Sequence, residues 1–294
     1  MGSLFATSVD IFFNSLVSAG VLMVVALGLN IIYGLNRVMN LAHGSFFALG
    51  AYFGYTLVQA GGNYFLALAL APVGVGLVGL VMERTLITPM RDRPMVYTLI
   101  LTYGLMFVID GLIKSEWLWG VETLNIPLPQ FMLHSVSLGP ASYPVFRLVI
   151  LAATSLVLIG LFALLGRTRM GINMRAASDI PEMVSALGIN LRGVQISAFV
   201  LGCILAAVGG MLAGPIFTVF PMMGHEMLIK SFVVVVIGGL GSLRGAVLAA
   251  LLIGFVENIA KFFWAESAMV IVYMMMALIL AFWPRGILGE GKFE

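Results

Sequence analysis

The sequence predicts an all-α, polytopic membrane protein with about eight or nine transmembrane segments. It forms a single domain over residues 1–294, with the N-terminus outside and the C-terminus inside. Three observations carry this. Apolar residues make up 61% of the chain and charged residues only 10%, whereas a soluble domain is ordinarily about a quarter charged. Charge-free runs are long: 26 residues from Ile11 to Asn36, and 45 from Val38 to Met82. A helical crossing needs about 20 apolar residues, so the second run holds two. The runs are continuous rather than alternating, which excludes a membrane β-barrel.

Taken in order, the spans are expected at 11–35, 39–60, 63–82, 95–113, 146–165, 194–214, 227–243, 245–260 and 267–284. The first ten residues carry Asp10 and no Lys or Arg, unlike a cleavable leader, so the first span is expected to be retained. Gly61-Gly62-Asn63 is the natural turn after the second span. Arg244 cuts spans seven and eight into charge-free runs of only 13 and 12 residues, Ser231–Leu243 and Gly245–Val256. Runs that short suit either a re-entrant pair or tightly packed interior helices.

Positive charge sets the orientation. With Glu83–Pro94 inside, the inner loops hold Arg37, Arg84, Arg91, Arg93, Arg167, Arg169, Arg175, Arg192, Arg244, Arg285 and Lys292, and the outer loops only Lys114, Arg147, Lys230 and Lys261. The segment Ser115–Pro144, with Trp117, Trp119, Pro127, Pro129 and Pro140, reads as an external loop with interfacial tryptophans. Gly166–Gly193 carries four arginines and is the one sizeable inner segment. Within it Arg169–Ala177 reads as a short helix. Asp179-Ile-Pro-Glu182 reads as the capped start of a second, which ends at Gly188.

The second span holds the densest polar and small-residue pattern. Asn40, His43 and Ser45 open it, and Gly44, Ala48, Gly50 and Gly54 form a ridge that lets backbones approach closely. Polar groups at membrane depth face a bundle interior or a water-filled path, so this helix is expected to be packed on all sides beside a transport pathway. His43 either lines that path or pins a neighbouring helix. In the sixth span Gly202, Ala206, Gly210 and Gly214 repeat at four-residue steps as a packing face, followed by an irregular turn at Pro215 and Pro221.

Other chemistry is poorly supported. Gly238-Gly-Leu-Gly-Ser-Leu-Arg-Gly245 lacks the spacing and the strand–helix context of a dinucleotide loop. Gly239, Gly241 and Gly245 are instead expected in a tight turn between two packed helices. No Walker A loop precedes any lysine, so ATP hydrolysis would fall to another subunit. His43, His134 and His225 lack ligand-spaced partners, so no metal site is expected. A net charge of +2 gives no case for nucleic acid, and lone Cys203 allows no internal disulfide. Asp110–Lys114 and Glu257–Lys261 read as i,i+4 pairs near the outer ends of helices, not as an acid relay.

Four motifs together resemble the permeases of branched-chain amino acid ABC transporters: Asn40-Leu-Ala-His-Gly-Ser-Phe-Phe-Ala-Leu-Gly-Ala-Tyr, Arg175-Ala-Ala-Ser-Asp with Ala186-Leu-Gly-Ile-Asn190, Gly238–Gly245, and Pro284-Arg-Gly-Ile-Leu-Gly289. Length and the Asn-Leu-Ala-His-Gly form are most similar to the LivH-type subunit. Pro181, Val184 and Arg244 depart from the family pattern. The resemblance implies a non-enzymatic permease in a bacterial inner membrane, without a cofactor of its own. Its partners would be a LivM-type permease, two cytoplasmic ATP-binding subunits, a substrate-binding protein and membrane lipid. It implies coupling to the ATPases through 166–193, with Arg175, Ala176, Asp179, Glu182, Ala186 and Gly188 as contact residues. Relatives of this kind carry branched-chain amino acids, urea, amides or aromatic acids. An ion-coupled secondary carrier is the alternative.

Overall fold

The computed structural model describes residues 2–138 and 141–289; Pro140 and Lys292, used above, lie outside them. Eleven α-helices are described: α1 Gly2–Asn36, α2 His43–Gln59, α3 Tyr64–Met82, α4 Met95–Lys114, α5 Val145–Arg167, α6 Arg169–Asp179, α7 Pro181–Ala186, α8 Leu191–Phe217, α9 Met223–Gly238, α10 Leu243–Trp264 and α11 Ala268–Phe282. Among the described residues six helical stretches are long and apolar enough to cross a membrane: 7–36, 64–90, 95–114, 145–167, 191–217 and 243–282. The protein is thus a polytopic helical membrane protein. Three of the expected spans, now α2, α9 and α11, are shorter, at 17, 16 and 15 residues, and α11 is counted above only as the continuation of α10.

α1 is the central post. It packs against α5, α8, α9 and α10, and its middle, from Ala19 to Ile32, is almost wholly buried. Hydrophobic burial cannot drive helices together in lipid, so close backbone contact has to do so. Gly28 on α1 faces Gly202 on α8: a methyl at Gly28 would come within 2.8 Å of the Gly202 carbonyl oxygen. Gly254 on α10 sits against Ala19, with the same test giving 2.6 Å to its Cβ. Outward faces of α3, α4, α5 and α11 instead expose Leu, Val, Ile and Phe, as a lipid- or partner-facing shell requires.

Several expectations are corrected. The fold is not purely α: Ser135–Leu138 and Ala141–Pro144 form an antiparallel hairpin, β1–β2, with Val136 opposite Tyr143. β-branched and aromatic residues suit a pleated strand, and outside the bilayer an open edge can meet water. Asp179 ends α6 and does not cap α7; Ile180 is the junction at φ −139°, because a residue before proline is pushed out of the helical region. Pro215 lies inside α8, and the irregular turn begins only at Thr218, at φ +61°. α2 starts at His43 rather than at 39, after a non-helical segment. Gly61 at φ +86° and Asn63 as N-cap make the expected turn into α3.

Candidate translocation site

The break between α1 and α2 builds the centre of the molecule. Residues 37–42 are not helical, yet Asn40 and Ala42 are fully buried. Unpaired backbone inside a membrane protein must find partners within the protein. Here the Asn40 carboxamide oxygen accepts from Ala42 N at 3.1 Å, and the Thr102 hydroxyl on α4 accepts from Leu41 N at 3.3 Å while facing the Met39 carbonyl at 3.3 Å. His43 Nε2 donates to the Val25 carbonyl on α1 at 3.0 Å. Its ring therefore pins α2 to the central post rather than opening onto a path.

Val25 lies eleven residues before the end of α1, about 16 Å along a helix at 1.5 Å per residue. The N-terminus of α2 therefore starts deep within the bundle. α9 starts beside it: a methyl at Gly224 would lie 2.6 Å from the Gly44 carbonyl oxygen. Two short helices thus begin side by side, each with a positive dipole end. α4 ties the pair together. Ser45 donates to Asp110 at 3.1 Å, and the other oxygen of Asp110 lies 3.3 Å from His225 Nδ1 on α9. The expected Asp110–Lys114 pair is not formed, since burial turns Asp110 inward while Lys114 lies at the helix end beside Met222.

Beyond this knot, between α1, α2, α8, α9 and α10, lies a cavity of about 280 Å³. Val21, Leu22, Phe47, Phe220, Met223 and Met227 give it an apolar wall, and Glu226, Lys230 and Glu257 contribute charge. Glu257 is buried and accepts from Lys230 at 2.7 Å and from Lys261 at 2.7 Å, both on Oε1. The expected Glu257–Lys261 pair exists, but it is half of a three-residue network in which Lys230 and Glu257 face the cavity.

The opposite end carries the basic loops. Here α6 is fastened to α1 by the Ser178 hydroxyl, which donates to the Gly34 carbonyl at 2.9 Å. Asn30 holds the α9–α10 turn, donating to Ser242 O at 2.8 Å and accepting from Gly241 N at 2.7 Å. Gly239 at φ +100° and Gly241 at φ +86° make that turn, and Gly238 and Gly245 meet backbone to backbone across it. A groove of about 640 Å³ runs between these parts, with Arg37, Arg175 and Arg244 on its walls. Arg91 bridges Glu83 and Gln195, locking the α3–α4 loop to α8 at this same end.

A family model described as the branched-chain amino acid transport system / permease component matches residues 11–280. The chain belongs to this family. The LivH permease protein of the high-affinity branched-chain amino acid transport system of Salmonella typhimurium is 27% identical, covering 96% of each chain. BraD of Pseudomonas aeruginosa, a permease protein of a system described in the same words, is 28% identical over 96% of this chain and 95% of its own. Among solved structures, PsaBC from Streptococcus pneumoniae matches with a TM-score of 0.53, 12% identity and coverage of 96% and 95%, which is a likeness of fold. The chain is an ABC importer permease, and the ion-coupled carrier is not favoured.

Within this permease the expected signature residues stand together. Asn40, His43, Gly44, Ser45, Gly50 and Gly54 are all buried, with Gly50 against the Ala207 backbone and Gly54 against the Met211 side chain of α8. Gly202, Gly210 and Gly214 face α1, Phe47 of α2 and Ile126 respectively. Arg175, Ala176, Asp179, Glu182, Ala186 and Gly188 are exposed, while Met174, Ala177 and Val184 turn inward. Reading the sequence missed Thr102, His225, Glu226 and Asn30. The i,i+4 spacing of Glu226 and Lys230 was the one available signal. Among the described residues no group of three metal-binding side chains occurs.

Proposed function

We propose that this permease moves branched-chain amino acids, or a related small solute such as urea, an amide or an aromatic acid, across a bacterial inner membrane. It does so as half of a permease pair. The single observation that carries this reading is the outward face of α6 and α7. Arg175, Asp179 and Glu182 stand exposed beside bare Met183 and Leu187, on a segment stapled to α1 through Ser178. An exposed apolar patch rimmed by charge suits a protein partner. ATP-binding subunits seated there would push α6, and through Gly34 the central post, without needing a nucleotide site or cofactor in this chain.

The wider assembly is a LivM-type permease, two ATPases and a substrate-binding protein. The charge bias supports an N-terminus outside and a C-terminus inside. α2 and α9 act in this reading as short interior helices whose N-termini face the path, which supports nine membrane segments in all. Broken helices that meet near the middle of the bundle recur in transporters as substrate sites. Reconstitution in proteoliposomes with the ATPases and binding protein should give uptake that requires ATP. Accumulation by the lone chain, driven by an ion gradient without nucleotide, would overturn the reading.

A further inference from the structure

The cavity beside α9 is amphoteric in a way that neither lipid contact nor helix packing requires. One side is apolar, from Leu22, Phe47 and Met227. The other holds charge in two separated parts. Lys230 and Lys261 share one acceptor oxygen of Glu257, so that cluster carries a net charge of +1. Glu226 lies one helical turn before Lys230 on α9, also lines the cavity, and forms no ion pair among the described residues. A charge of each sign thus faces one small space about one turn apart, with grease opposite. Glu226 is exposed and Lys230 half-buried, so the cavity is open on this side and a solute entering it meets both charges.

We propose that this cavity is a subsite for a zwitterionic amino acid with an apolar side chain. Lys230 takes the α-carboxylate, Glu226 the α-ammonium, and the wall of Leu22, Phe47 and Met227 the side chain. Glu257 is the positioning residue that holds Lys230 against the cavity. The proposal rests on the permease reading and narrows it: urea, amides and acids without an amino group fit the charge pair less well than a neutral amino acid does.

The test uses the assembled complex, without binding protein, carrying Ser18→Cys. Ser18 lines the cavity, and the native Cys203 is buried. The probe is the rate of modification by a small thiosulfonate reagent. Leucine should slow modification at least about tenfold at saturation, while isoamylamine and 4-methylpentanoate, each lacking one charge, should not. Lys230→Met should abolish the leucine protection, and Glu226→Gln should weaken it. Equal modification with and without leucine, or equal protection by all three compounds, overturns the subsite. ATP-dependent uptake by the same preparation with binding protein added is the control: if uptake is intact and protection absent, the subsite fails while the permease reading stands.

Discussion

Ser45 on α2 and Asp110 on α4, 65 residues apart in sequence, meet at 3.1 Å, and through Asp110 the start of α9 joins them at His225. Three helices are therefore tied where two of them begin. Ser45→Ala removes a hydrogen bond to a carboxylate, a contact worth about 1.5–3 kcal/mol. The variant should insert normally but lose several degrees of thermal stability in detergent, measured by the onset of aggregation. An unchanged melting curve would mean the contact is not made.

Glu257 is the one acceptor for two lysines. Glu257→Ala should cost about 2 kcal/mol, less than for a fully buried pair because both lysines keep some water. Combining it with Lys230→Met should recover part of the loss, and a double-mutant cycle reads the coupling.

Gly50 lies against the backbone of Ala207. Gly50→Leu forces α2 away from α8 and should cost at least about 3 kcal/mol, the upper range for overpacking. The complex should fail to assemble on size exclusion; a complex of normal size would count against the close contact.

Gly239 combines φ +100° with a close neighbour, since an added methyl would lie 2.6 Å from Gly289 Cα. Gly239→Ala should therefore cost more than the roughly 1–2 kcal/mol of backbone strain alone. Gly241, also at positive φ but with open space around it, should show only the strain. Thermal unfolding of the two variants side by side gives the comparison.

Arg175→Glu reverses charge on the exposed face of α6. ATP-driven uptake should fall at least about tenfold, a loss of about 1.4 kcal/mol in the coupled state. Insertion and permease pairing should be unaffected. Normal uptake in vesicles would remove Arg175 from the coupling face.

Patterns local in the chain were legible before any coordinates. The apolar segments are helical, because a long charge-free run has to satisfy its own backbone in the bilayer, though six stretches rather than nine are long and apolar enough to cross among the described residues. The glycine ridges of α2 and α8 were legible because helix geometry puts residues four apart on one face. Side-chain partners were not. Asp110 has Lys114 at helical spacing, and only the bundle shows that His225 and Ser45 are nearer. Asn30 looked like one more residue of an apolar span, yet it holds a turn more than 200 positions away.

The linear chain by itself determined class, the small-residue faces and the absence of a Walker A loop, since these follow from composition and from spacing along one helix. The tertiary structure decided which polar groups meet, that α2 begins deep in the bundle after an unwound stretch, and that Glu226 and Lys230 share a cavity with Glu257. The physical reason is that hydrogen bonds and charges act over a few ångströms in space. Distance along a chain of 294 residues does not reveal which groups the bundle brings that close.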